Sequence, residues 1–107
     1  MRWAVEILNT LVDAELEALP DDMQARFWRI AEMIEECGLE RVREPHIKHL
    51  RGPLWEMRMK GKDGISRAIY VTAVARRVVV VRVFVKKTQA TPEREIELAL
   101  KRALEVL

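Results

Sequence analysis

LWEMRMKGKDGISRAIYVTAVARRVVVVRVFV, residues 54–85, is the stretch that decides the fold. Residues 54–60 alternate, with Trp55, Met57 and Met59 on one face and Glu56, Arg58 and Lys60 on the other, the period-two pattern of a strand. GKDG at 61–64 reads as a tight turn, because Gly61 and Gly64 supply permissive backbone. ISRAIYVTAV at 65–74 is the returning strand, and Ala75-Arg76 make the next turn. RVVVVRVFV at 77–85 carries an apolar run too continuous for a half-solvated strand, so it is expected at the centre of the sheet, buried on both faces. Three strands joined by turns this short form an antiparallel meander.

Outward from the meander the pattern changes to helical. Residues 2–8, RWAVEIL, predict a first strand. Thr10 then precedes a segment whose Val12, Leu16 and Leu19 recur at helical spacing, and Pro20 ends it. Asp21 and Asp22 open a second helix with acids at the positive end of its dipole. Met23, Phe27, Ile30 and Ile34 form its apolar stripe, and Gly38 is its stop. Residues 39–53, with Pro45, Gly52 and Pro53, read as a loop containing at most a short strand. At the other end Thr91 is the expected cap of a last helix, with Pro92 at its first position and Ile96, Ala99, Leu100, Ala103 and Leu107 along its apolar side. The predicted order is β-α-α-β-β-β-α, an α+β domain spanning 1–107 with a helical hairpin laid on one face of a small, mostly antiparallel sheet.

The 107 residues are 50% hydrophobic, enough for one modest core. No run approaches the roughly 18–20 apolar residues that would span a bilayer. Glu6, Asp13, Glu15 and Glu17 interrupt the N-terminal region where a signal peptide needs an apolar stretch. Cys37 is the single cysteine, so neither a disulfide framework nor a cysteine zinc cluster is available. These features predict a soluble, cytoplasmic protein with no membrane partner.

The net charge of +2 conceals a division along the chain. Residues 41–87 hold thirteen Lys or Arg against three acids, a net of +10, while the rest holds six cations against fourteen acids, a net of −8. A concentrated basic region is the usual footprint of a polyanion site. Lysines and arginines on a solvated surface would give the same count, but Arg58, Arg67 and Arg82 fall inside strands rather than loops.

Strict alternation places Arg82 with Val78, Val80, Phe84 and Lys86. It places Arg58 with Lys60, and Arg67 with Ile65, Ile69 and Val71, opposite Ala68 and Tyr70. A sheet with one face under the hairpin has a second face to spare. Arg58, Lys60, Arg67 and Arg82 there would make a basic concavity, whereas burying them unpaired would be prohibitive. Guanidinium forks suit phosphate, and fixed cations stabilise the charge that builds on phosphorus oxygens when a 2′-hydroxyl attacks the adjacent phosphate of RNA. Proton transfer also needs an acid and a base, for which Tyr70, His46, His49 and the lysines are the candidates. Glu56 and Asp63 are too few for two-metal hydrolysis, and two histidines in a loop without a cysteine nearby argue against zinc, so neither a metal nor another cofactor is expected. Trp55 is expected in the core beside Met57, with base stacking as its functional alternative. Tyr70 reads as a half-buried sheet residue or an acid–base group. Lys86 and Lys87 read as solvated strand ends or phosphate ligands.

The segment HLRGPLWEMRMKGKDGISRAIYVTAVARRVVVVRVFVKKTQATPEREIELALKRALE resembles the phage-derived, HigB-like branch of the RelE/ParE toxin superfamily. The resemblance rests on LRGPLWEMR, the short glycine turn, SRAIY, the hydrophobic strand ending FVKKTQ, and TPEREIELAL opening the last helix. It implies a RelE-like fold and a toxin of a type II toxin–antitoxin module that cleaves messenger RNA on the ribosome without a metal or cofactor. It also implies a cognate antitoxin, of the helix-turn-helix HigA-like kind, as partner. By motif position Arg58 and Arg67 would be catalytic or phosphate-holding, with Tyr70 following from the same R-x-x-Y pattern. Lys48, Lys60, Arg82, Lys86 and Lys87 would bind RNA. Several ribosome-dependent relatives carry a His or Tyr near the C-terminal end, and the last helix here has neither. A ParE-like inhibitor of DNA gyrase and a non-catalytic, phage-derived nucleic-acid-binding protein are the competing functions.

Overall fold

The computed structural model describes residues 2–107. In chain order the elements are β1 (Ala4–Ile7), α1 (Thr10–Glu17), α2 (Asp21–Cys37), a 3₁₀ turn (Leu39–Arg41), β2 (Ile47–Arg51), β3 (Leu54–Gly61), β4 (Gly64–Ala73), β5 (Arg77–Lys86) and α3 (Glu93–Ala103). They form an α+β structure in the expected order, with one additional strand. The expected 39–53 loop yields β2, which pairs antiparallel with β3 and forms a sheet edge. The sheet order is β1-β5-β4-β3-β2; β1 runs parallel to β5 and the other neighbours are antiparallel. No helix among the described residues is long and apolar enough to cross a membrane.

The hairpin packs on one face. Val12 and Leu16 of α1 and Met23, Phe27, Ile30 and Ile34 of α2 are buried against Met57, Met59, Ala68, Tyr70, Val78, Val80 and Val83. Asn9 caps α1, its side-chain oxygen accepting from the Val12 N–H at 3.0 Å, one residue before the Thr10 from which the sequence starts the helix. Gly38, at φ 94°, ends α2 in a backbone conformation that L side chains rarely adopt. The start of α2 fits tightly on the β3–β4 turn: a Cβ at Gly61 would lie 2.7 Å from Asp22 Oδ2, and that carboxylate accepts the Lys62 N–H at 2.8 Å.

The opposite face is shared. Its apolar half lies under α3, where Leu54, Ile69, Val71, Val79 and Val81 meet Ile96, Ala99 and Ala103. The other half is polar. Helix α3 begins at Glu93 behind Pro92 and has no side-chain cap, so Thr91 is not the cap that the sequence suggests. Its hydroxyl is turned to the sheet instead, as described below.

A β-bulge corrects the strict alternation on β5. Ile69 is opposite Arg82 and Tyr70 is opposite Val80, which leaves Val81 as the extra residue. Val78, Val80 and Val83 therefore face the hairpin while Val81, Arg82 and Phe84 lie on the α3 side. Arg82 keeps company with Phe84 and Lys86 but not with Val78 and Val80. The same region has lost its neighbour strand, since the last hydrogen bond from the β1 side is Leu8 N–H to the Val80 carbonyl at 3.0 Å. Two side chains take over that open edge. Glu15 accepts the Val83 N–H at 3.1 Å, and Arg102 donates to the Val81 carbonyl at 2.9 Å. Pairing the exposed backbone groups in this way blocks edge-to-edge association.

Candidate nucleic-acid interface

Cross-strand register brings the expected cations together on the polar half of the α3 face. Directly opposed residues form three rows: Lys48–Glu56–Ile69–Arg82, then Arg58–Arg67–Phe84, then Lys60–Ile65–Lys86. Five of the expected basic residues, Lys48, Arg58, Lys60, Arg67 and Lys86, thus share one surface built from four strands. Their mutual influence is felt at Lys86, whose ammonium is held below the ordinary lysine range, first by desolvation and then by the charges of Arg67, Arg58 and Lys48, with Glu56 pulling the other way.

These cations are not equivalent. Arg67 is only 4% exposed and pairs with Glu56, itself 1% exposed. Thr91 closes the triangle: its hydroxyl donates to Glu56 Oε2 at 3.0 Å and accepts from Arg67 Nη1 at 3.2 Å. The Arg67 Nε has no hydrogen-bond partner although it is buried. Arg82 is likewise held within the protein, by Glu95 at 2.7 Å and Glu15 at 2.8 Å. It is expected from sequence to reach the groove, yet it anchors α1 and α3 to β5. Arg58 is half-buried and, among the described residues, makes no ion pair; Lys48, Lys60 and Lys87 are exposed. The surface able to meet a polyanion therefore consists of Arg58 with the lysines, and the Glu56–Arg67–Thr91 triangle supports it from below.

Tyr70 stands apart. It is opposite Trp55 on the hairpin face, 1% exposed, and burial pushes its phenol well above the usual range. The sheet lies between it and Arg67, the opposite-face placement that alternation gives, so Tyr70 does not reach the cation surface. Neither histidine joins the cations. His49 packs edge-on to Trp55 with ring centroids 4.9 Å apart and its Nε2 is 3.0 Å from the Gly52 carbonyl, while His46 lines a separate hollow with Met33 and Cys37. Trp55 is 39% exposed rather than in the core. With Trp3, Val42, Ile47 and Tyr70 it lines an open concavity of about 800 Å³, on the part of the hairpin face that α2 leaves uncovered. Among the described residues no cluster of three or more His, Cys, Asp or Glu could hold a metal ion.

The sequence matches the phage-derived Gp49-like protein family over residues 14–104. The chain belongs to that family. The match takes in the second half of α1, all of α2, the 3₁₀ turn, the meander and α3, so every residue of the cation surface lies within the Gp49-like region. No curated protein matches the sequence. Among solved structures, this Gp49-like chain is similar to the archaeal RelE–RelB complex from Pyrococcus horikoshii. It is 22% identical to the matched chain with a TM-score of 0.61, over 81% of its own length and 98% of that chain. At that identity the likeness shows a RelE fold.

Sequence reasoning missed Glu56, Glu15 and Glu95 as partners. Glu56 was visible on the polar side of β3, but only the β3–β4 register shows that Arg67 reaches it. Glu15 and Glu95 lie on helices whose placement the strand pattern does not determine.

Proposed function

We propose that this protein is the toxin of a type II toxin–antitoxin module, of the HigB-like kind, and that it cleaves messenger RNA on the ribosome. The observation that carries the reading is the convergence of Arg58, Lys48, Lys60 and Lys86 from three strands onto one face, with no acid among the described residues paired to them. Membership of the Gp49-like family and the RelE fold support it. In this reading Arg58 and the lysines hold the RNA backbone, with Lys87 extending the track past the end of β5. Arg58 stabilises charge developing on the non-bridging oxygens as the 2′-hydroxyl attacks. Arg67, fixed by Glu56 and Thr91, positions β3 and the start of α3 and adds its field to the site. The ribosome supplies alignment of the message, so the reaction takes place on cytoplasmic translation.

The solved relative is a complex of RelE with RelB. By extension this protein has a cognate antitoxin, of the helix-turn-helix HigA-like type, with an acidic segment that meets the basic face. Opposite charges would speed their encounter, and raising the ionic strength should slow it.

The deciding experiment adds the purified protein to a reconstituted translation reaction and maps cuts in the message. Ribosome-dependent cuts that are lost in Arg58→Ala are expected. An intact message would overturn the nuclease reading, and inhibition of DNA gyrase by the same preparation would replace it.

A further inference from the structure

Transfer of phosphorus from the 5′-oxygen to the 2′-oxygen leaves an alkoxide that must acquire a proton. Among the described residues the usual donors are missing from the cation face. Tyr70 faces the hairpin, His49 packs against Trp55 on that same side, and His46 lies in the hollow beside Cys37. Guanidinium groups do not give up a proton near neutral pH, which removes Arg58 and Arg67. The lysines remain. Lys48 and Lys60 are exposed, whereas Lys86 is partly shielded, in line with Ile65 and beside the Phe84 row.

We propose that Lys86 is the general acid of the cleavage reaction, its ammonium protonating the 5′-oxygen as that oxygen leaves. The proposal rests on the ribonuclease reading above. The O2′–P bond forms and the P–O5′ bond breaks. The electron pair left on O5′ takes a proton from Nζ of Lys86, and the 2′-hydroxyl proton passes to water. The products are a 2′,3′-cyclic phosphate and a 5′-hydroxyl end, and Lys86 is reprotonated from solvent.

The surroundings suit the role. Arg58 and Glu56 face Lys86 from β3, Arg67 from β4 and Lys48 from β2, and three of these four are cations. Together with desolvation they loosen the proton on Lys86, and an acid whose pKa lies nearer the working pH donates more effectively. Arg58, on the neighbouring row, can hold the phosphate while Lys86 addresses the leaving atom. An acid must be protonated to act, so cleavage should decline as pH rises through the Lys86 pKa, below the ordinary lysine value of about 10.4.

The test compares wild type, Lys86→Arg and Arg58→Ala on ribosomes programmed with a short message, cut either at its normal linkage or at one whose leaving 5′-oxygen is replaced by sulfur. A thiolate leaves without protonation. Lys86→Arg keeps the positive charge and should bind RNA as wild type does, with the same thermal midpoint, yet cleave the normal linkage about 10²–10⁴-fold more slowly. Sulfur substitution should restore its rate, and should not restore Arg58→Ala. Normal cleavage by Lys86→Arg overturns the proposal and leaves the ribonuclease reading intact. So does a defect that sulfur does not relieve. A wild type that leaves the normal message uncut overturns both.

Discussion

Arg58 and Arg67 stand directly opposite each other on β3 and β4, yet among the described residues only Arg67 of the two has a carboxylate partner. Burial accounts for the difference. Arg67 lies where the start of α3 closes over the sheet, and a charge in that position survives only with a carboxylate beside it. Arg58 is half-buried and, among the described residues, has no carboxylate paired to it. Two arginines that look interchangeable in sequence therefore have separable contributions.

Replacing Arg67 alone by Met strands the Glu56 carboxylate in the interior, and should cost about 3–5 kcal/mol. Replacing both, as Glu56→Met with Arg67→Met, removes the stranded charge and should recover most of that loss, because apolar pairs of similar volume often match a buried ion pair. Urea unfolding of the two single variants and the double gives the cycle. A double variant no more stable than the singles would mean that packing, not charge, sets the cost.

Arg58→Gln should be nearly silent in the same unfolding measurement, within about 0.5 kcal/mol of wild type. Its effect should appear in binding to a single-stranded RNA, where the slope of log affinity against log salt shrinks by about 0.7 for each phosphate that is no longer neutralised. Arg82→Gln should do the reverse. Its guanidinium is occupied by Glu95 and Glu15, so its loss weakens the fold and leaves the salt slope alone.

The difference between these arginines marks where the sequence stops being legible. Alternation and the glycines of the intervening turn read β3 and β4 correctly, because both depend on local chemistry alone. The continuous valines mark β5 as interior where β1 pairs with it, over Arg77–Val80, but the centre of the sheet is β4 and the rest of β5 is an open edge. Which side of β5 carries Arg82 depends on a bulge, and nothing in RVVVVRVFV marks Val81 as the extra residue. Trp55 followed the alternation onto the hairpin face but escaped burial because α2 ends before covering it. The cation face was legible as a group of residue types. Its division into exposed and self-neutralised members was not, since that depends on Glu15, Glu56 and Glu95 arriving from three different elements.

Glu15 should prove to be a structural keystone of the open β5 edge. Its carboxylate accepts from the Val83 N–H and pairs with both Arg82 and Arg102. Glu15→Ala removes all three interactions at a site where the remaining groups are mostly shielded, with an expected loss of about 3 kcal/mol. Hydrogen exchange offers the sharper reading. The Val83 amide should exchange faster in the variant while amides between β3 and β4 change only as much as the global stability does. Unchanged Val83 protection would show that β5 needs no help from α1.

Acid should loosen the opposite end of the same strand. Arg77 donates to both carboxylate oxygens of Glu6 at 2.9 Å, joining β1 to β5, and holds that carboxyl below its ordinary range, chiefly through the hydrogen bonds. Glu93 is held low in the same way by Arg51. A carboxyl that titrates lower in the folded chain than in the unfolded one stabilises the fold fully above its unfolded pKa, and that contribution is lost as pH falls through the folded pKa. The thermal midpoint should therefore decline as pH falls from about 5 toward 3, where carboxyls take up protons. The Arg51–Glu93 pair is exposed and the Arg77–Glu6 pair half-exposed, so the decline they cause is shallow and should flatten in 1 M salt. Glu6→Gln should flatten part of it even at low salt. A variant whose pH profile overlays that of the wild type would show that β1 is held by its backbone pairing and apolar packing alone.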